Sequence, residues 1–279
     1  MKTLVLGANG FLGNAVNSFL QNRTNDSTTI ANSDKFTKES QIRNLLNSVK
    51  PELVINCVAM IDSQACERMP KEANWVNGEL PGIIAKNCKN LNSKLIHIST
   101  DAVMDTTKQF KCESETPNPD STYGMSKLLG ELEVINEGPD FLICRVNFFG
   151  LSRNKKSLLD FFQEKLLKDE RVYGYTNVFF NPLGVKTATQ IILELIERRV
   201  EGVIHITGNS RISKYEFGIE VEKIIKPGAK LIARRELATA GREKLRDLSL
   251  CNCKLREFIT EIPDWKKDVK DEIRKGTTV

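Results

Sequence analysis

Thr3-Leu4-Val5-Leu6-Gly7-Ala8-Asn9-Gly10-Phe11-Leu12-Gly13 is the stretch that decides the fold. Leu4 to Leu6 reads as a short buried strand, three glycines follow at G-x-x-G-x-x-G spacing, and residues 11–21 carry helical apolar spacing. A strand, a glycine turn and a helix in that order point backbone N–H groups and the positive end of a helix dipole at one spot. That spot suits a dinucleotide pyrophosphate. Gly7, Asn9, Gly10, Phe11, Leu12 and Gly13 are therefore candidate cofactor contacts.

The pattern repeats outward from this first unit. Residues 27–31 read as a second strand, residues 40–48 as a helix through Ile42, Leu45 and Leu46, and Leu53-Val54-Ile55 as a buried strand. A long helical region through Trp75, Leu80, Ile83 and Ile84 precedes a strand at 94–98. Pro117 and Pro119 mark a loop, Ser121 or Thr122 caps a helix running to about Asn136, and residues 141–146 form another strand. Alternating strands and helices predict an α/β protein with a Rossmann-like, doubly wound parallel sheet, its NAD(P)-binding domain spanning 1–150. Residues 151–279 carry helical patterns at 157–168, 187–198, 213–225 and 254–259 and a strand at 203–206. They are expected to complete the sheet and to form a small substrate-binding lobe.

The end of the second strand, Ile30-Ala31-Asn32-Ser33-Asp34-Lys35, bears on which nicotinamide cofactor fits. A carboxylate there holds a ribose 2'-hydroxyl, whereas a basic residue suits a 2'-phosphate. Asp34 is a candidate contact; Lys35 tilts the expectation to NADPH, with NADH the alternative.

Composition excludes several classes. The 41 Lys+Arg against 36 Asp+Glu give +5, but the basic residues are interleaved with acids rather than gathered in a stripe, which speaks against a nucleic-acid partner. Seven cysteines, an odd number without C-x-x-C spacing, offer no zinc framework and suit a reducing compartment. Neither a signal peptide nor a membrane span is legible, so a cytoplasmic protein without a membrane partner is expected.

Tyr123 and Lys127 stand four apart near the start of a helix, so both lie on one face. Reducing a ketone needs hydride on carbon and a proton on the developing alkoxide, and a phenol with a pKa of about 10 is a poor partner near neutrality. An ammonium beside it favours the phenolate, so Lys127 is expected to lower the phenol's pKa and to hold the nicotinamide ribose. A hydroxyl at the carboxyl end of the preceding strand, in His97-Ile98-Ser99-Thr100-Asp101, would orient the substrate oxygen. Ser99 and Thr100 alternate in direction, and Thr100 is the choice. Ile98 and Ser99 are taken as cofactor neighbours. His97 and His205, both in apolar strands, read as packing residues.

The glycine turn, Val54-Ile55-Asn56-Cys57-Val58-Ala59, Ser99-Thr100-Asp101-Ala102-Val103, Tyr123-Gly124-Met125-Ser126-Lys127 and Arg145-Val146-Asn147-Phe148-Phe149-Gly150 occur in the order seen in extended short-chain dehydrogenases. Among these the chain most resembles the dTDP-4-dehydrorhamnose reductase family. The resemblance implies a 4-keto nucleotide-linked sugar as substrate, NADPH or NADH as hydride donor, and a trio of Thr100, Tyr123 and Lys127. It further implies that Ala59, Met60 and Ile61 line the adenosine side of the cofactor, and that Thr100, Asp101, Asn147 and Phe148 face the sugar. Ala102, Val103 and Met104 replace the family's usual aromatic pair, Phe148 stands where Trp is common, and Lys244-Leu245 replaces an Arg-Pro pair. Ala15 stands near the Glu that bridges metal-linked dimers in some members, so no metal is expected; a homodimer without one remains compatible.

Two alternatives compete. A dehydratase of this fold carries Glu after the Thr-Asp pair, where Ala102 has no transferable proton, so the enzymatic alternative is an epimerase. The other is a non-catalytic regulatory subunit, since the same family includes one that attaches to methionine adenosyltransferase.

Overall fold

The computed structural model describes residues 1–21, 27–31, 36–138, 140–153, 155–239, 242–243 and 245–276. Asp34, with Lys35 beside it, lies outside the described residues.

β1 (Lys2–Leu6), β2 (Ser27–Ala31), β3 (Leu53–Asn56), β4 (Lys94–Thr100) and β5 (Phe141–Val146) join the strand Gly202–Ile206 in one six-stranded sheet. From one edge the order is Gly202–Ile206, β5, β4, β3, β1, β2. β2, β1, β3 and β4 pair in parallel, with Leu6 opposite Asn56 and Asn56 opposite His97. The chain moves from β1 to β2 on one side and returns to place β3 on the other. That reversal is a topological switch point, and open α/β sheets bind ligands beyond the strand ends at such points. The expected doubly wound sheet is therefore present.

Strands β1 and β3 are apolar on both faces because helices cover both, which is why they read as continuous hydrophobic runs rather than alternating ones. Leu4, Leu6, Val54, Leu95 and Ile143 from the strands meet Ile42, Leu46, Leu80, Ile84 and Val134 from the helices in one buried cluster.

The chain divides into two compact units built from interleaved segments. The first comprises 1–104, 116–145 and 192–204; the second comprises 105–115, 146–191 and 205–279. The sheet belongs to the first, apart from Val146 and the last two residues of the strand Gly202–Ile206. The second has its own core, in which Phe217 meets Phe149, Phe180 and Trp265 at centroid distances of 5.0, 5.8 and 5.9 Å. Trp265, Val269 and Ile273 lie on one face of the helix Trp265–Gly276, and all three are buried. The helix expected at 254–259 closes after one turn, Cys253–Arg256. Among the described residues no helix is long and apolar enough to cross a membrane.

Candidate active site

Gly7 leaves β1 at φ +77, a conformation that L side chains rarely adopt, and a Cβ there would meet the Cys57 carbonyl and Val58 nitrogen at 3.0 Å. Its N–H bonds the Ala31 carbonyl at 2.8 Å, and Gly10 N–H closes the turn on the Gly7 carbonyl at 2.9 Å. Helix Phe11–Gln21 follows directly, as expected. Leu12 and Gly13 are buried, whereas Asn9 and Gly10 are exposed at the helix start. An open, side-chain-poor turn against a helix N-terminus fits a pyrophosphate.

The chain leaving β3 is held beside this turn. Val58 N–H donates to Asn56 Oδ1 at 3.1 Å, and Asn77 clamps Met60 by accepting its N–H at 2.8 Å and donating to its carbonyl at 3.0 Å. Asn77 Nδ2 also donates to Ser126 Oγ at 3.0 Å, on the helix Thr122–Glu137. The clamp sits in a π-helical turn, Asn74–Glu79, and fixes Ala59, Met60 and Ile61 relative to that helix. Ala59 and Met60 are half-buried and Ile61 is exposed.

The helix Thr122–Glu137 is pinned at its start. Ser121 Oγ accepts the Gly124 N–H at 3.1 Å, and Glu67 accepts from Thr122 N–H at 3.0 Å and Thr122 Oγ1 at 2.6 Å. A Cβ on Gly124 would sit 2.3 Å from the Ala102 carbonyl, so only glycine lets this helix approach the end of β4. The approach brings Tyr123 beside Thr100, whose hydroxyl acts on the phenol. Thr100 Oγ1 in turn donates to Asp101 Oδ1 at 2.9 Å.

Strand alternation sends Ser99 the other way, to Glu131 Oε1 at 2.5 Å. Glu131 is also gripped by Arg145, through Nε at 3.0 and 3.2 Å and Nη2 at 2.7 Å. Ser99, expected beside the cofactor, thus spends its hydroxyl on a buried ion pair beneath the site.

Lys127 is 1 % exposed and donates to the Ile98 carbonyl at 2.7 Å, with His97 Nε2 at 3.4 Å. Because Asn56 Oδ1 takes the Val58 N–H, its Nδ2 faces His97 Nδ1 at 3.1 Å. The imidazole then accepts at Nδ1 and carries its proton on Nε2, toward Lys127. Two donors facing each other explain the long 3.4 Å separation. Burial lowers the Lys127 ammonium to about 8, against the pull of Glu131 and Cys57.

One expectation is corrected. Lys127 was to lower the phenol of Tyr123, but that phenol is pushed up to about 12, chiefly by burial; the Thr100 hydroxyl lowers it, and Asp101 and Cys66 raise it. Lys127 is not among the groups that set it, because its head is turned to Ile98 and His97. Asn77, Glu131 and His97 were missed as parts of this arrangement. Only His97 carries a local signal, its place in the segment His97-Ile98-Ser99-Thr100-Asp101, and the structure sets it opposite Asn56 in the β3–β4 register.

Thr100, Asp101, Tyr123, Lys127 and the glycine turn therefore belong to the first unit, at the carboxyl ends of β1, β3 and β4. Asn147 and Phe148 belong to the second, half-buried, where Phe148 pairs with Leu183. Among the described residues no cluster of three or more His, Cys, Asp or Glu side chains is placed to hold a metal ion.

Comparison with known proteins adds a family and relatives. The family described as RmlD substrate binding domain matches residues 1–277. A probable low-salt glycan biosynthesis reductase, Agl14 of Haloferax volcanii, is 31% identical over 90% of this chain and 89% of its own length. The dTDP-4-dehydrorhamnose reductase of Burkholderia thailandensis is 28% identical over 95% of this chain and 96% of its own. The methionine adenosyltransferase 2 subunit beta of Xenopus tropicalis is 28% identical over 77% and 69% respectively. The crystal structure of dTDP-4-dehydrorhamnose reductase from Bacillus anthracis in complex with NADP superposes with a TM-score of 0.89, at 20% identity, over 98% of this chain and 99% of that one.

Proposed function

The chain belongs to the RmlD substrate binding domain family, and from that premise we propose that it is an NAD(P)H-dependent reductase of a 4-keto nucleotide-linked deoxysugar. The observation that carries this reading is the placement of Tyr123 beside Thr100 at the carboxyl end of β4, with Lys127 one turn along the same helix. NADPH is the proposed cofactor and would supply hydride to the ketone carbon; the NADP-bound Bacillus anthracis relative supports a nicotinamide cofactor.

Gly7, Asn9, Gly10 and the start of the helix Phe11–Gln21 bind its pyrophosphate. Ala59, Met60 and Ile61 flank its adenosine side, and Lys127 binds the nicotinamide ribose. Thr100 orients the substrate carbonyl, and Tyr123 donates the proton to the oxygen as hydride arrives. A phenol held at about 12 suits this direction: it stays protonated through neutral pH, yet it is far more acidic than an alkoxide. Lys127, charged below about 8, offers its ammonium to the ribose rather than to the phenol. Asp101, Asn147 and Phe148 are the proposed sugar contacts. The protein is proposed to act in the cytoplasm, in polysaccharide biosynthesis.

The test is NADPH oxidation, followed optically, across dTDP-, UDP-, GDP- and CDP-linked 4-keto sugars. Turnover on at least one supports the reading; none with any, alongside tight cofactor binding, overturns it. The methionine adenosyltransferase subunit relative favours a second reading, a cofactor-binding regulatory role. Co-purification of a stoichiometric partner enzyme from the native host, without sugar reduction, would favour it.

A further inference from the structure

Cys251 and Cys253 lie in the second unit and take no part in the chemistry above. In an extended strand, residues two apart have Cα atoms about 6.6 Å apart, near the long end of the about 4.4–6.8 Å range that a disulfide spans. Here Asn252 between them adopts φ -108, ψ 21, a turn that shortens the span. The two sulfurs lie 2.7 Å apart. That is well inside the about 3.5–4.0 Å of an ordinary nonbonded carbon contact, although both are free thiols.

The pair sits in a fixed frame. Asn181 Oδ1 accepts the Leu250 N–H at 3.0 Å, and Asn181 Nδ2 donates to the Leu250 carbonyl at 2.8 Å. Cys251 N–H bonds the Lys111 carbonyl at 2.8 Å, and the Cys251 carbonyl meets His205 Nδ1 at 3.2 Å. Little chain entropy is left to lose on joining the sulfurs. The two thiols also differ in a useful way. Cys253 is exposed and Cys251 buried, and the Cys253 N–H points at Cys251 Sγ at 3.3 Å, a donor placed to stabilise negative charge there.

We propose that Cys251 and Cys253 form a thiol–disulfide exchange site that takes low-molecular-weight disulfides of the glutathione class. The Cys253 thiolate attacks one sulfur of oxidised glutathione, breaking its S–S bond and releasing one glutathione thiolate, which takes up a proton. The Cys251 thiolate then attacks the Cys253 sulfur of the mixed disulfide and releases the second glutathione. Two protein S–H bonds and one S–S bond are exchanged for one protein S–S bond and two glutathione S–H bonds. The protein loses two electrons and the glutathione disulfide gains them. In the reverse direction an external thiol attacks exposed Cys253 and expels Cys251, the sulfur that holds the N–H. The bond from Cys251 raises the Cys253 thiol above its ordinary value, so closure is faster in mildly alkaline solution.

The test needs no sugar substrate and is independent of the proposed reduction. The full-length protein is incubated anaerobically with oxidised glutathione at mildly alkaline pH, alkylated and digested with trypsin. Residues 247–254 form one tryptic peptide holding both cysteines and no other. It is expected to lose two hydrogen atoms and both alkylation sites, while five of the seven thiols still alkylate, and reduced glutathione is expected to restore it. Cys251→Ser is expected to trap a glutathione adduct at Cys253 that the unaltered protein does not accumulate. A peptide that stays reduced under excess oxidised glutathione, or a lasting adduct at Cys253 in the unaltered protein, would overturn the proposal. So would preferential oxidation of any other cysteine.

Discussion

Raising the pH should switch the proposed enzyme off through Lys127 rather than Tyr123. Burial holds the lysine at about 8 and the phenol at about 12, so between pH 7 and 10 only the lysine changes charge. The groups around it are fixed in sign: Glu131 and Cys57 favour the ammonium, and the His97 ring presents an N–H that does not. One pH unit above its pKa roughly a tenth of the lysine remains charged. The rate should therefore fall about tenfold per unit there, each step worth about 1.4 kcal/mol of lost transition-state stabilisation. The assay is kcat/KM for NADPH from pH 6 to 10, because that ratio reports ionisations of the free enzyme. Lys127→Arg keeps its charge throughout and should show no alkaline limb, whatever its absolute rate. A wild-type profile flat to pH 10, or a limb unchanged in Lys127→Arg, would refute the reasoning.

Further outcomes follow from the packing. Glu131→Ala removes the carboxylate that the buried Arg145 guanidinium pairs with, and should cost about 3–5 kcal/mol, read as a lower urea midpoint of the sheet-bearing unit. Gly124→Ala drives a Cβ to 2.3 Å from the Ala102 carbonyl; it should push Tyr123 away from Thr100, with kcat falling far more than NADPH affinity in a steady-state comparison. Asn77→Ala releases Met60 and should raise the KM for NADPH while leaving a folded protein by circular dichroism.

Much of the first unit was legible because its signals are local. β2, β5 and the helix Phe11–Gln21 coincide with the expected spans, since a parallel sheet covered on both faces writes itself as apolar runs between amphipathic helices. Thr100, Tyr123 and Lys127 are singled out by side-chain direction on one strand and one helix, and the structure sets all three in the first unit. What stayed hidden depends on contacts far apart in sequence. Asn77 acts through residues 17 and 49 positions away, and the Ser99–Glu131 bond spans 32. The direction of the Tyr123 shift was misjudged because helical spacing sets which face Lys127 occupies, not where a long side chain places its charge. The helix Trp265–Gly276 escaped because its apolar stripe is narrow, Trp265, Val269 and Ile273, in a segment dense with Lys and Asp. The interleaving of the two units was equally invisible, because it depends on which distant segments pack together.

The most direct measurement compares the unaltered protein with Tyr123→Phe under single-turnover conditions, using the 4-keto sugar nucleotide that the substrate panel selects, with NADPH binding followed by fluorescence. The account predicts near-equal NADPH affinity and a loss of the reduction rate of about 10²-fold or more, the usual reach of a positioned proton donor. Reduction at the unaltered rate by Tyr123→Phe would contradict it.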